Sequence, residues 1–164
     1  MRQGYPWLDP DILSGRPNVG AMLDLCEENY ACLLRLIPGL RRLRVGEQAW
    51  IEKNALLYVL VQEQTPYTTT IRLTYLFASS DSARSSPMGA DPDARIRLYH
   101  DARQIEVLGL EQNALPIRAG YQAPSLLIKW RLNLFLSKWL GYCWRQGYCF
   151  DTACFGELDE NCMG

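Results

Sequence analysis

The fold is decided by residues 55–78, which read ALLYVLVQEQTPYTTTIRLTYLFA. The segment 55–64 is predicted to be a strand, and its stretch ALLYVLVQ (55–62) is apolar on both faces, which predicts a central strand or one that is covered on both sides. Thr65-Pro66 marks a turn. The segment 68–78 then alternates with a period of two, which predicts a second strand with one buried face. Residues 55–78 are therefore predicted to form an antiparallel hairpin.

Further strands are predicted on both sides of this hairpin. The segment 47–53 precedes it with the same period of two, and the segments 95–101 and 103–110 follow it. Between them lies 79–94, a polar, Ser-rich stretch with two prolines, which we predict to be a long loop. The pattern predicts a meander of four or five antiparallel strands.

Two amphipathic helices flank the predicted sheet. The first begins near Asn18 and ends at Pro38-Gly39, and the second occupies 124–146 with Pro124 in its first turn. Because each helix has one apolar face, we predict an α+β fold with both helices on one face of the sheet. The predicted core faces are Met22, Leu25, Cys26, Tyr30, Leu33, Leu36 and Ile37 in the first helix, and Ile128, Leu132, Phe135, Leu136, Trp139, Leu140 and Cys143 in the second.

The length of 164 residues fits one domain. We predict an irregular arm over 1–17, a single α+β domain over 18–148, and an acidic, cysteine-containing tail over 149–164. The net charge of −1 offers no overall attraction to nucleic acid or to an anionic membrane, so neither is an expected partner. The N-terminus lacks the apolar segment of a signal peptide, so a cytoplasmic location is expected.

The six cysteines include no CxxC pair and have no histidine close to them, so no metal site and no cofactor are expected. His100 is the single histidine of the chain and falls on the apolar side of its strand. Asn29 falls within the apolar face of the first helix, where it needs a hydrogen-bond partner if it is buried. We hypothesise that Asn29 approaches His100 and that the two form a buried polar cluster.

The opposite face of the sheet is predicted to carry Arg72, Arg97, Tyr99 and Asp101. Arginines beside a tyrosine can hold a phosphate or a carboxylate, which makes this face a candidate site for an anionic small molecule. A solvated sheet face explains the same residues.

Trp130, Leu134 and Trp144 share the polar side of the second helix. Two tryptophans and a leucine within one arc form an unusual exposed apolar group, which predicts that another segment or another molecule covers these side chains. The C-terminal tail, with Phe150 and Phe155, is the preferred cover. The alternative is a protein partner or a second copy of the chain.

A resemblance to a known family is carried by four separate segments, LCEENYACLLRLIP (25–38), YVLVQEQTPYTTTIRL (58–73), RIRLYHDARQIEV (95–107) and LNLFLSKWLGYCWRQG (132–147). These segments resemble the YqiB-like family of small bacterial proteins, a domain of unknown function. The resemblance covers about residues 22–148 and implies a cytosolic protein with no established activity. The 79–94 segment and the tail depart from the family pattern.

No phosphate-binding loop, dinucleotide fingerprint, zinc-protease motif or nucleophile elbow occurs in the sequence. We therefore expect a non-enzymatic regulatory or adaptor protein that binds another protein. The alternative is a small-ligand or nucleotide-phosphate binding protein, or an enzyme of nucleotide metabolism, that uses Arg72, Arg97 and Tyr99.

Overall fold

The computed structural model describes residues 18–78, 88–112 and 126–156. The predicted arm over 1–17, Pro124 and the end of the tail lie outside these residues. The described elements are α1 (Val19–Leu36), β1 (Gln48–Glu52), β2 (Leu56–Gln64), β3 (Thr68–Ala78), β4 (Met88–Tyr99), β5 (Gln104–Glu111) and α2 (Leu126–Arg145), with short 3₁₀ helices at Leu40–Arg42 and Thr152–Cys154.

The five strands form one sheet in the order β1-β2-β3-β4-β5, and every neighbouring pair is antiparallel. The predicted meander is confirmed, and β2 lies inside the sheet as its double-sided apolar pattern indicated. The turn between β2 and β3 is closed by Thr65, whose hydroxyl oxygen accepts the backbone N–H of Thr68 at 2.9 Å. Such a side-chain hydrogen bond stabilises a tight turn without a glycine.

The start of β4 differs from the prediction. Residues 88–94 were expected to belong to a loop, but they pair with the end of β3. Because this stretch contains Asp91, Pro92 and Asp93, it lacks the alternating apolar pattern of a strand. The strand forms because Pro92 and Ala94 are buried while Asp93 receives hydrogen bonds from β3. The rest of the predicted loop lies outside the described residues.

The helix α1 has clear boundaries. The Asn18 side chain accepts the backbone N–H of Ala21 at 2.8 Å, which is a standard N-cap hydrogen bond. At the other end, the N–H of Ile37 donates to the Leu33 carbonyl, and Pro38 follows because it cannot continue the helix. The predicted helix from Asn18 to Pro38 is confirmed.

Both helices bury their apolar faces on one side of the sheet, so the predicted α+β fold is confirmed. The helices pack on each other, and both contact β5. The largest fully buried side chain is Trp139 of α2, which lies in the core with Phe135. On the sheet side the buried residues come from every strand: Ala49, Leu57, Val59, Val61, Ile71, Leu73, Ala94, Ile96, Leu98 and Ile105.

The described part of the tail packs against the core. Phe150 is fully buried, its backbone N–H donates to the Leu36 carbonyl at 2.7 Å, and its ring contacts that of Phe155. Gly156 then pairs with Gln48 of β1. Within the described residues, neither helix is long and apolar enough to cross a membrane.

Phe150→Ala should lower the free energy of unfolding by about 3–5 kcal/mol, because it removes a fully buried ring from a packed site. Trp144→Ala, at a side chain that is 50% exposed, should change it by less than about 1 kcal/mol. Urea denaturation of both variants measures the difference. Equal, small losses would contradict the packing of the tail into the core.

Candidate functional site

His100 lies directly after β4, and its side chain is 6% exposed. Its Nδ1 is 3.0 Å from the Tyr30 hydroxyl oxygen of α1, and its Nε2 is 2.7 Å from the Thr69 hydroxyl oxygen of β3. Both ring nitrogens therefore have a buried partner, and the imidazole joins the first helix to the sheet.

The direction of each hydrogen bond in this group follows from Gln64. Its Nε2 donates to the Leu40 and Leu43 carbonyls at 2.9 and 2.8 Å, so its Oε1 must accept from the Thr69 hydroxyl. The Thr69 oxygen then accepts from Nε2–H of His100, which leaves Nδ1 as the acceptor of the tyrosine hydroxyl. The imidazole is thus held as the neutral Nε2–H tautomer.

The electrostatic surroundings also favour the neutral ring. Burial lowers the pKa of His100, and the positive charge of Arg41 lowers the pKa further, against a smaller opposing effect of Asp101. A neutral imidazole with both nitrogens occupied has no lone pair left for a metal ion or for a substrate proton. This geometry supports a structural role for His100.

The expected contact between Asn29 and His100 is replaced by a different one. The Asn29 amide donates from Nδ2 to the Asn133 backbone carbonyl at 2.9 Å and to its Oδ1 at 3.3 Å, and Asn133 in turn donates to the Lys129 carbonyl. Asn29 and Asn133 are both buried. Asn29 therefore links α1 to α2. The next residue of α1, Tyr30, faces a different partner and links α1 through His100 to the sheet.

On the opposite face of the sheet, Arg72 is fully engaged. Its guanidinium forms two parallel hydrogen bonds with Asp93, from Nε to Oδ1 at 2.9 Å and from Nη2 to Oδ2 at 2.7 Å. Thr74 donates to the same carboxylate at 2.8 Å. Burial alone would raise the pKa of Asp93, but these hydrogen bonds outweigh it and the pKa is lowered. The pair stays ionised and joins β3 to β4.

Arg97 and Tyr99 also have acidic partners. Arg97 donates from Nη2 to Glu63 at 3.1 Å and from Nε to Thr70 at 3.2 Å, and Thr70 donates to the same carboxylate. These hydrogen bonds, that of Thr70 first, lower the pKa of Glu63. The Tyr99 hydroxyl donates to Glu106 at 2.8 Å. Arg97 of β4 therefore contacts both β3 and β2, and Tyr99 of β4 contacts β5, so both predicted anion-binding side chains join strands of the sheet.

A cavity of about 310 Å³ adjoins this face, with Arg72, Arg95, Asp93 and Glu111 in its wall. Two guanidinium groups and two carboxylates line it together, so the site offers an anion no net charge. The fourth predicted residue, Asp101, is exposed in the turn between β4 and β5. Arg72, Arg97 and Tyr99 form cross-strand contacts that stabilise this open sheet face.

Trp130, Leu134 and Trp144 lie within one arc of α2, as predicted. Trp144 is 50% exposed, while Trp130 and Leu134 are half-buried. The tail, the preferred cover, takes another course over its described residues, because Phe150 and Phe155 pack at the end of α1 beside β1. Over the described residues, those two rings leave Trp144 open to solvent.

A family model described as "Protein of unknown function (DUF1249)" matches residues 32–149. The chain belongs to this family. The uncharacterized protein YqiB of Escherichia coli K12 is 31% identical over 137 residues, which are 80% of this chain and 91% of that protein. The YqiB proteins of the O6:H1 and O157:H7 strains match equally well. No solved structure matches the chain.

The DUF1249 match includes the whole sheet and α2, so it contains the cross-strand ion pairs, His100 and the exposed arc of α2. Asn29 and Tyr30 precede it. The predicted resemblance to the YqiB-like family is confirmed. These relatives are described only as uncharacterized, so the function of this member of DUF1249 has to be inferred from its own side chains.

Three residues that organise these groups escaped the sequence analysis. Asn133 lies beside the predicted core face of α2, and its signal was the same as that of Asn29, a carboxamide next to an apolar helical stripe. Gln64 and Thr69 lie in a polar stretch, where nothing distinguishes a buried hydroxyl or amide from an exposed one. Only the closing of the β2–β3 turn brings them under the 3₁₀ helix.

The lowered pKa of His100 predicts a pH-dependent stability. An unfolded chain binds a proton near pH 6.5 and the folded chain binds it only at lower pH, so the free energy of unfolding should fall as pH drops below about 6.5. The loss is at most about 1.4 kcal/mol per pH unit for this one proton. Urea denaturation between pH 5.5 and 7.5 measures it.

The control is His100→Gln, which keeps polar atoms in the site but cannot titrate. Its stability should be flat over the same pH range, whatever its absolute value, because the chain has no second histidine. If wild type and variant show the same pH dependence, the neutral imidazole is not its source.

Proposed function

We propose that this member of DUF1249 is a non-enzymatic protein-binding module that receives an acidic amphipathic helix of another protein on the outer face of α2. The observation that carries the proposal is the spacing of residues on this face. Trp130, Ser137 and Trp144 recur every seven residues, and Leu134 and Gly141 recur with the same interval beside them. A seven-residue repeat presents one continuous stripe to a partner helix.

Positive charge accompanies this stripe. Arg131, Lys138 and Arg145 follow the first row by one residue and form a third row with the same interval, and α2 contains no Asp or Glu. Across the described parts of the chain, none of the ion pairs within 4.0 Å involves these three cations. A stripe of aromatic residues beside a row of free cations complements a helix with an apolar stripe and a row of carboxylates.

The middle of the stripe is a low region of small side chains, which a partner helix can approach closely. Ser137 and Gly141 are small, and a Cβ added at Gly141 would meet nothing within 4 Å. The two tryptophans stand on either side of this low region, about 21 Å apart at 1.5 Å rise per residue. A partner helix of roughly four turns would span the distance and settle between the two rings.

The charge row disfavours antiparallel pairing with a second copy of the chain. If two α2 helices packed face to face in opposite directions, their rows of Arg131, Lys138 and Arg145 would face each other, and like charges along a helix pair are destabilising. The occupied nitrogens of His100 support the non-catalytic part of the proposal. An acidic partner is consistent with both observations.

Photocrosslinking tests the proposal. With p-benzoylphenylalanine in place of Ser137, cells that naturally produce the chain should yield one adduct with another protein. The crosslinked peptide should carry net negative charge. The same amino acid at the exposed Glu52 of β1 should give no such adduct.

Gly141 supplies matched variants. Gly141→Trp should reduce the adduct at least tenfold by filling the low region, while Gly141→Ala should retain it and raise the free energy of unfolding by about 0.5–1 kcal/mol, because nothing surrounds the added methyl group. Crosslinking yield and urea denaturation measure the two effects. An adduct that survives Gly141→Trp, or one formed with a second copy of the chain, would rule the proposal out.

A further inference from the structure

A second feature of α2 lies on its inner side. A cavity of about 400 Å³ is enclosed by the first turns of α1, the edge strand β5 and the first turns of α2. Its volume falls within the range of small-molecule sites. The walls are mostly apolar and include Met22, Leu23, Ile105, Val107, Leu126 and Leu132.

The cavity wall contains few polar groups, and they differ in whether they already have a hydrogen-bond partner. The Asn133 side chain is already hydrogen-bonded to Asn29 and to the Lys129 carbonyl. Glu106 contributes to the wall, but its carboxylate accepts the Tyr99 hydroxyl, and its cross-strand neighbour is Arg97 of the opposite sheet face. The carboxylate therefore already has a hydrogen-bond partner, although Glu106 lines the cavity.

Lys129 is the remaining charge of the wall. Its side chain is exposed at the cavity, and no ion pair within 4.0 Å engages it in residues 18–78, 88–112 and 126–156. The first turns of α1 and α2 contain no acidic residue, so the positive ends of two helix dipoles lie at the same end of the molecule as the ammonium group. An apolar cavity with one cation at its wall is complementary to a ligand with an apolar body and one negative charge.

We propose that this cavity binds a small amphipathic carboxylate, such as a medium-chain fatty acid. The apolar chain lies between the two helices and β5, and the carboxylate pairs with the Lys129 ammonium group. The site is distinct from the outer stripe, because Lys129 lies about 100° around α2 from Trp130. The proposal therefore stands independently of the protein-binding function.

Calorimetry with decanoate and decanol tests the charge pair. The wild-type chain should bind decanoate with one-to-one stoichiometry and about fivefold more tightly than decanol, which has the same chain and no charge. Lys129→Gln should abolish that preference and leave decanol binding unchanged. The matched control is Lys53→Gln, which removes an exposed lysine between β1 and β2 that does not line the cavity and should leave both affinities unchanged.

Cys26 provides a second measurement that needs no variant. Its thiol lies in the cavity wall and is nearly buried, whereas Cys149 is exposed at the other end of the molecule. Decanoate should slow the alkylation of Cys26 by N-ethylmaleimide at least fivefold without changing the rate at Cys149, as peptide mass spectrometry would show. Absence of decanoate binding, equal effects of the two lysine variants, or no protection of Cys26 would overturn the proposal.

Discussion

The position of α1 depends on the buried hydrogen-bonded chain that runs from Tyr30 through His100 and Thr69 to Gln64. Hydrophobic burial holds the helix on the sheet, but it is not directional and would tolerate several rotations of the helix about its axis. Each hydroxyl or amide in this chain is hydrogen-bonded to specific partners, and leaving any of them unpaired in the core costs about 1–3 kcal/mol. The polar chain therefore selects one docking geometry among many apolar ones.

The same requirement explains the junction of the two helices. Asn29 and Asn133 are buried between α1 and α2, where the Asn29 Nδ2 donates to the backbone and side-chain oxygens of Asn133. The adjacent side chains Asn29 and Tyr30 therefore fix α1 in two directions. Tyr30 holds it to the sheet through His100, and Asn29 holds it to α2 through Asn133. The cavity and the outer stripe both inherit their geometry from this arrangement, since both are bounded by α2.

The periodicity of the sequence predicts most of this architecture, because apolar spacing reflects which face of an element is buried. The strand over 68–78 and the helix that starts at Asn18 agree with the structure at their ends. The beginning of β4 could not be predicted in this way, because its residues are polar and the strand exists through a pair between Arg72 and Asp93, which are far apart in sequence. Local patterns hold no information about such pairs.

The same limitation affected the candidate anion site. Arg72, Arg97 and Tyr99 do share one face of the sheet, as alternation requires. Their acidic partners, among them Glu63 and Asp93, come from other strands and can be identified only when the strand order and register are known. A set of cations identified from one strand at a time therefore overstates the free charge of a sheet face.

The composition of α2 is the clearest functional indication in the molecule. A helix in a two-layer fold needs one apolar face, and α2 satisfies that need with Phe135, Trp139 and the residues around them. Its second aromatic row is only partly buried, because Trp144 remains half-exposed and Trp130 is half-buried. In the described residues, the tail that follows α2 packs at β1 instead of covering that row. The seven-residue spacing of Trp130 and Trp144, beside cations that form no ion pair within 4.0 Å among the described residues, is the feature on which the proposed helix-binding function rests.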